Sequence, residues 1–154
     1  QKDLNATILY VTHDHVEATT MADRIGVLKD GVLSQVGTPE EIYDNPNSIY
    51  VANRLGSPKI NIFDLNKIII PPKNMASFAG IRPEDISITA KGNYDVYIET
   101  VELLGAETVI SFKSDDLDGM LLTQSSENFE EGKKIKINLD DNKILYFDNN
   151  GMRI

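Results

Sequence analysis

The side chains best able to do chemistry crowd into one short stretch: His13, Asp14, His15 and Glu17 follow directly on the run Ile8-Leu9-Tyr10-Val11-Thr12. An imidazole here has three uses. It can be a satisfied structural group at a strand end. It can bind metal, since His13 and His15 flank Asp14 as a His-x-His pair. However, the sequence has no third histidine, and its 154 residues are too few for a metallohydrolase barrel of about 250, so no metal is expected. Or it can sense phosphate or position water, donating from one ring nitrogen while the protein holds the other. Residue types alone leave the structural and phosphate-sensing readings open.

The elements that must position these groups follow from the pattern. Ile8 through Thr12 is unbroken and β-branched, which predicts a short buried strand. Asp14, with Glu17 three residues later, makes a capping-box pattern in which each carboxylate accepts a backbone N–H at a helix start. Helix capping is the main assignment for both, with a contact to a partner subunit as the alternative. His13 then sits at the C-terminal end of a strand, where open α/β sheets bind ligands, beside a helix N-terminus that favours phosphate. Val16, Ala18, Met21 and Ala22 recur at helical spacing through 15–24, giving a face that packs on the sheet. Residues 1–5 read as the tail of a helix already under way.

Composition narrows the function classes. Apolar residues make up 41% of the chain, which supports a real core. The net charge is −9, with 4 basic and 8 acidic side chains in residues 1–55 and 11 and 16 in 56–154. Nucleic acid is not an expected partner, because counterion release needs clustered Lys and Arg. The one basic run, Lys133-Lys134-Ile135-Lys136, reads as the solvated face of a strand. Tyr94, Tyr97 and Tyr146 offer rings for base stacking, but the acidic charge argues for packing roles. Cysteine is absent, which excludes disulfides and thiolate metal sites and fits a cytosolic location. No run of about 18 apolar residues and no signal peptide are present.

Further along, Lys29-Asp30-Gly31 lies between two apolar runs and predicts a hairpin. Thr38-Pro39-Glu40-Glu41 combines an N-cap, a first-turn proline and a capping-box glutamate, so a helix starts there and stops at Asn45-Pro46. A second short helix, 48–55, ends at Gly56. At Gly56-Ser57-Pro58 the pattern changes to short apolar or alternating runs: 60–65, 68–70, 78–81, 86–89, 95–104, 107–112, 120–123, 134–139 and 144–147. These predict a small barrel or sandwich, with the long strand 95–104 bending at Gly105 to serve two sides of a barrel and a loop over 125–132. The expected fold is thus mixed, an α/β segment over 1–55 followed by an all-β, OB-like barrel over 56–154.

Several of these stretches, taken in order, resemble one family. Tyr10-Val11-Thr12-His13-Asp14-His15-Val16-Glu17-Ala18 with Met21-Ala22-Asp23-Arg24-Ile25 is similar to the switch-histidine segment of ABC transporter ATPases. His15 stands where that family usually has Gln. Gln35-Val36-Gly37-Thr38-Pro39, Ile42-Tyr43-Asp44-Asn45-Pro46 and Gly56-Ser57-Pro58-Lys59-Ile60-Asn61 resemble the sugar-importer subgroup of the maltose and glycerol-phosphate type. Gly80-Ile81-Arg82-Pro83-Glu84-Asp85 and Val101-Glu102-Leu103-Leu104-Gly105-Ala106-Glu107-Thr108 resemble its regulatory TOBE domain.

The resemblance implies a C-terminal portion of an ATP-binding subunit. His13 would touch the γ-phosphate and attacking water across a nucleotide-sandwich dimer, with ATP and magnesium bound by the full-length protein. Implied partners are a homodimer through the β-domain, transmembrane permease subunits and a possible regulatory protein or small ligand; the implied location is peripheral, on the inner face of the cell membrane. No Gly-x-x-x-x-Gly-Lys-Ser/Thr loop or Leu-Ser-Gly-Gly-Gln signature is present, so this stretch alone is expected to bind no cofactor and to be inactive. Arg82 is expected to pair with Glu84 or Asp85 and hold a turn, a structural role for Arg82 and Glu84. The competing readings are a stand-alone OB-type module for a small ligand or nucleic acid, and a His-dependent metalloenzyme.

Overall fold

Asp30 and Gly31 both take positive φ, 50° and 78°, the conformation of a two-residue turn that matches the twist of its strands. They join β1 (Ile25–Lys29) to β2 (Val32–Gly37) in an antiparallel pair. The computed structural model describes residues 6–124 and 128–154, so the expected helix tail over 1–5 and part of the loop expected over 125–132 lie outside the described residues. Ahead of the hairpin is α1 (His15–Met21). After it come α2 (Pro39–Asp44) and α3 (Ile49–Ala52). The capping box of α2 is complete: Glu41 N donates to Thr38 Oγ1 at 3.1 Å and Thr38 N to Glu41 Oε2 at 2.9 Å.

The remaining elements are strands: β3 (Asn61–Asp64), β4 (Phe78–Ile81), β5 (Ile86–Ile88), β6 (Tyr94–Leu104), β7 (Glu107–Lys113), β8 (Asp118–Thr123), β9 (Lys134–Leu139) and β10 (Leu145–Phe147). They form two antiparallel sheets, in the orders β10-β4-β3 and β5-β9-β6-β7-β8. The edge strands β5 and β8 come close to each other without pairing. The molecule is therefore mostly β with open sheets, consistent with an OB-like β-domain but not closed by a continuous ladder. Both sheets cover one core, in which Phe112, Ile81, Ile110, Leu121, Ile137 and Val96 are fully buried. Each such side chain contributes roughly 1.5–3 kcal/mol on burial.

Asn61 links the two sheets where the ladder does not. Its carboxamide accepts from Met120 N at 2.7 Å and donates to Met120 O at 2.8 Å, and it also donates to Ile81 O at 3.3 Å. A buried side chain thus does for β3 and β8 what a strand pair would do.

Four expectations need correction. Ile8–Thr12 forms no strand: Leu9 is 93% exposed and Val11 83%. A strand needs neighbours to satisfy its backbone, and none runs beside this segment among the described residues. The expected α/β sheet over 1–55 is accordingly reduced there to the β1–β2 hairpin and three short helices. Residues 68–70 are not a strand either, because the Tyr94 hydroxyl takes their place in the pairing: it accepts from Ile69 N at 3.0 Å and donates to Ile69 O at 2.7 Å, just before Pro71-Pro72 removes two donors. Finally, Gly105 (φ 77°) closes the β6–β7 hairpin and does not bend a barrel strand. The irregularity of β6 falls between Ile98 and Thr100, within its pairing with β7 and just past the end of its pairing with β9 on the other edge. One extra residue there reverses the facing: Val96 and Ile98 are buried, Thr100 is exposed and Val101 turns inward.

Replacing Asn61 by Ala should lower unfolding stability by roughly 1–3 kcal/mol, the usual cost of leaving buried backbone partners unsatisfied. Urea titration measures it as a lower midpoint with an unchanged slope.

Candidate functional site

His13 lies at the bend where the extended segment meets α1, with an exposed side chain that makes no hydrogen bond to the described residues. Its neighbours hold that bend. Asp14 is the N-cap, its Oδ1 accepting from Val16 N at 2.8 Å and Glu17 N at 3.0 Å. Glu17 does not complete a capping box. Its Oε2 accepts from Thr12 Oγ1 at 2.8 Å and from the Tyr10 hydroxyl at 3.2 Å, while Thr12 Oγ1 accepts from Asp14 N at 3.0 Å. The expected reciprocal cap fails because Thr12 supplies the oxygen that Asp14 N needs, which frees Glu17 to reach back over the extended segment. Two carboxylates now flank the helix start and the first-turn N–H groups are engaged, so α1 does not present the phosphate-binding end that its position predicts. His15 is half-buried. No cluster of three or more His, Cys, Asp or Glu able to hold a metal forms among the described residues.

The second concentration of functional groups is buried. Arg82, at the end of β4, is 4% exposed. Its guanidinium donates to Leu55 O at 2.7 Å, Ala52 O at 3.2 Å and Tyr43 O at 2.8 Å, and it stacks on the Tyr43 ring, 3.8 Å from the centroid. Tyr43 and Ala52 lie in the last turns of α2 and α3, where a helix leaves acceptors unsatisfied and favours a cation, and Leu55 lies in the turn that follows α3. The expected pairing of Arg82 with Glu84 or Asp85 is thus replaced by backbone carbonyls. Glu84 is exposed and accepts a hydrogen bond from the Tyr43 hydroxyl. Gly56 is required beside this cluster: its φ is 106°, and a Cβ there would lie 3.1 Å from the guanidinium and 3.2 Å from the Tyr43 ring. Burial lowers the Arg82 pKa, yet the intrinsic basicity of guanidinium keeps it charged. Burial, then the hydrogen bond to Glu84, pushes the Tyr43 hydroxyl well above the ordinary tyrosine range.

No local spacing announces this cluster, since Tyr43, Ala52 and Leu55 precede Arg82 by 27–39 residues. The only cue was a glycine directly after a helix, which reads equally well as an ordinary helix stop. Elsewhere, a shallow groove of about 320 Å³ is lined by Lys67, Tyr94, Asp95, Asp115 and Asp116 among others, all beyond residue 66. Hydrogen bonds from Lys136 and Lys134 hold the Asp95 carboxyl below the usual range.

Residues 79–147, from β4 to β10, match the TOBE domain family. Over 96% of its length the chain is 37% identical to the sn-glycerol-3-phosphate import ATP-binding protein of Psychromonas ingrahamii, covering 46% of that protein. The chain thus carries a TOBE-domain match and is similar over nearly its whole length to import ATP-binding proteins. The corresponding protein of Brucella abortus is 37% identical over the whole chain and 48% of its own length. An ABC transporter ATP-binding protein of Escherichia coli O157:H7 is 33% identical over 94% of the chain and 47% of its own length. The chain spans about half the length of the curated relatives it matches. Arg82 and Glu84 fall inside the TOBE match, whereas His13, Asp14 and Glu17 precede it.

A pH dependence follows from Tyr43. Its folded pKa is raised above the unfolded value of about 10, so its contribution is fully present below that pH and is lost as pH rises toward the folded value. Thermal melts between pH 9 and about 11.5 should therefore show falling stability, and Tyr43→Phe should make the fall shallower.

Proposed function

We propose that this chain is the C-terminal regulatory portion of an ATP-binding subunit that energises sugar import in a longer protein. The observation that carries the reading is that nearly the whole chain aligns with import ATP-binding proteins about twice its length. Two features of the structure agree with it. Ile8–Val11 is strand-type sequence left bare, which suits a segment whose sheet neighbours lie elsewhere in a longer chain. His13 is exposed at its end, available to a site built by other residues.

On this reading the nucleotide site is built largely by residues outside this chain. The sequence has no phosphate loop, and Asp14 occupies the first-turn N–H groups of α1. ATP and magnesium therefore belong to the longer protein, where His13 supplies one polar contact as the switch histidine. Asp14 and Glu17 shape the bend that presents it. The TOBE domain supplies the regulatory and homodimer-forming surface. Transmembrane permease subunits are the partners, and the inner face of the membrane is the location. No helix among the described residues is long and apolar enough to cross a membrane.

Two measurements test this. The 154-residue chain should neither hydrolyse ATP nor bind it tightly by calorimetry, and sustained turnover would overturn the assignment. In the full-length subunit His13→Ala should reduce turnover by at least about 100-fold, while nucleotide affinity changes by only a few fold. Normal transport by that variant would remove His13 from the mechanism.

A further inference from the structure

The change of sequence pattern at Gly56-Ser57-Pro58 suggests a linker, but the contacts around it describe a weld. Arg82 reaches from the end of β4 to the carbonyls of Tyr43 on α2, Ala52 on α3 and Leu55 in the turn just past α3. On the other side of α3, the end of the chain returns to the same helices: Ile49 N donates to Gly151 O at 2.8 Å, Arg153 N donates to Asn47 O at 2.9 Å, and Ser48 and Met152 form an antiparallel bridge. Between the two ties, Ala52 of α3 shares a fully buried apolar cluster with Ile60 and Phe147. The hairpin is joined to the helices in turn. Ile25 and Val27 pack with Ile42, Val51 and Leu55, and the Gln35 carboxamide bonds Asn45 O at 3.0 Å and Asn47 N at 2.7 Å.

We propose that residues 25–124 and 128–154 form one cooperative body in which Arg82 is the coupling residue, so that the β1–β2 hairpin, α2 and α3 move with the TOBE domain and no hinge operates at 56–58. A regulator that displaces the TOBE domain would then displace the hairpin as well. The physical reason is that separating the helices from β4 breaks three hydrogen bonds to one guanidinium and its stacking on Tyr43 at once, and any partial opening that leaves the site dry strands a charged group without acceptors.

Amide hydrogen exchange on the intact chain decides it. The Ala52 and Asn53 amides, bonded within α3 to Ser48 O and Ile49 O, should exchange through the same opening as the core amide of Ile110, with protection matching within about threefold and the same denaturant dependence. Ala52 exchanging on the order of 100-fold faster than Ile110 in the unmodified protein would show that the helices open by themselves, and would overturn the proposal. Arg82→Gln should then separate the two classes, with Ala52 and Asn53 losing on the order of 100-fold in protection and Ile110 losing little. An equal loss at all three would make Arg82 a general support and not a coupler. Arg82→Lys gives a second reading if the glutamine variant does not fold. One ammonium cannot span three carbonyls, so partial separation is expected, and none would count against the coupling role.

Discussion

A guanidinium stays charged at any ordinary pH and carries five donors. Burying it is costly unless those donors are met. Arg82 is buried among carbonyls contributed by two helices and the turn after the second, all far away in sequence, and much of the surrounding structure is built to meet that demand. Gly56 gives up a side chain so that the guanidinium and the Tyr43 ring can occupy the space. Tyr43 supplies both a stacking face and a carbonyl, and its hydroxyl is tethered to Glu84 on the turn that follows Arg82. The helices in return have their C-terminal carbonyls capped by a side chain from a different part of the chain, which compensates for their shortness: six and four residues are far below the length at which an isolated helix holds in water.

The His13 segment is the opposite case, governed by exposure. Its hydrogen bonds run between surface groups of near neighbours, and α1 buries none of its residues. Ala18 and Ala22 pack partly against the hairpin core, while Val16 and Met21 face outward. The described chain is bare over Ile8–Val11 and clamped around a β core beyond the hairpin, which agrees with the proposed reading of a regulatory portion of a longer subunit.

Much of this was legible in the sequence because it depends on local chemistry. Asp30-Gly31 specifies its turn through two positive φ values, and Thr38-Pro39-Glu40-Glu41 specifies a helix start through its own side chains. The β6–β7–β8 meander follows from alternation and turn residues. The ordered motifs resemble those of import ATP-binding proteins, and the TOBE match and the similar relatives agree with that resemblance. The histidine region was legible in kind but not in form. The apolar run 8–12 reads as a strand in any local scheme, yet strand formation is a property of neighbours. Similarly, alternation through β6 sets Val96, Ile98 and Thr100 against Tyr97, Glu99 and Val101, and the structure follows it only as far as Ile98, because the bulge is set by the register with β7 and not by the residues themselves.

By itself, then, the sequence determined the elements whose hydrogen-bond partners lie within a few residues: the caps, the hairpin turns and the alternation that marks an inward face. It also located His13 beside a helix start. Only the tertiary structure decided where Arg82 would spend its donors, how Asn61 would join two sheets, and that Glu17 would serve Thr12 and Tyr10 in place of the helix end. In each case the partners actually used lie beyond the local pattern that the sequence displays. The choice depended on which backbone groups folding had left buried and unpaired, or already supplied by a neighbour.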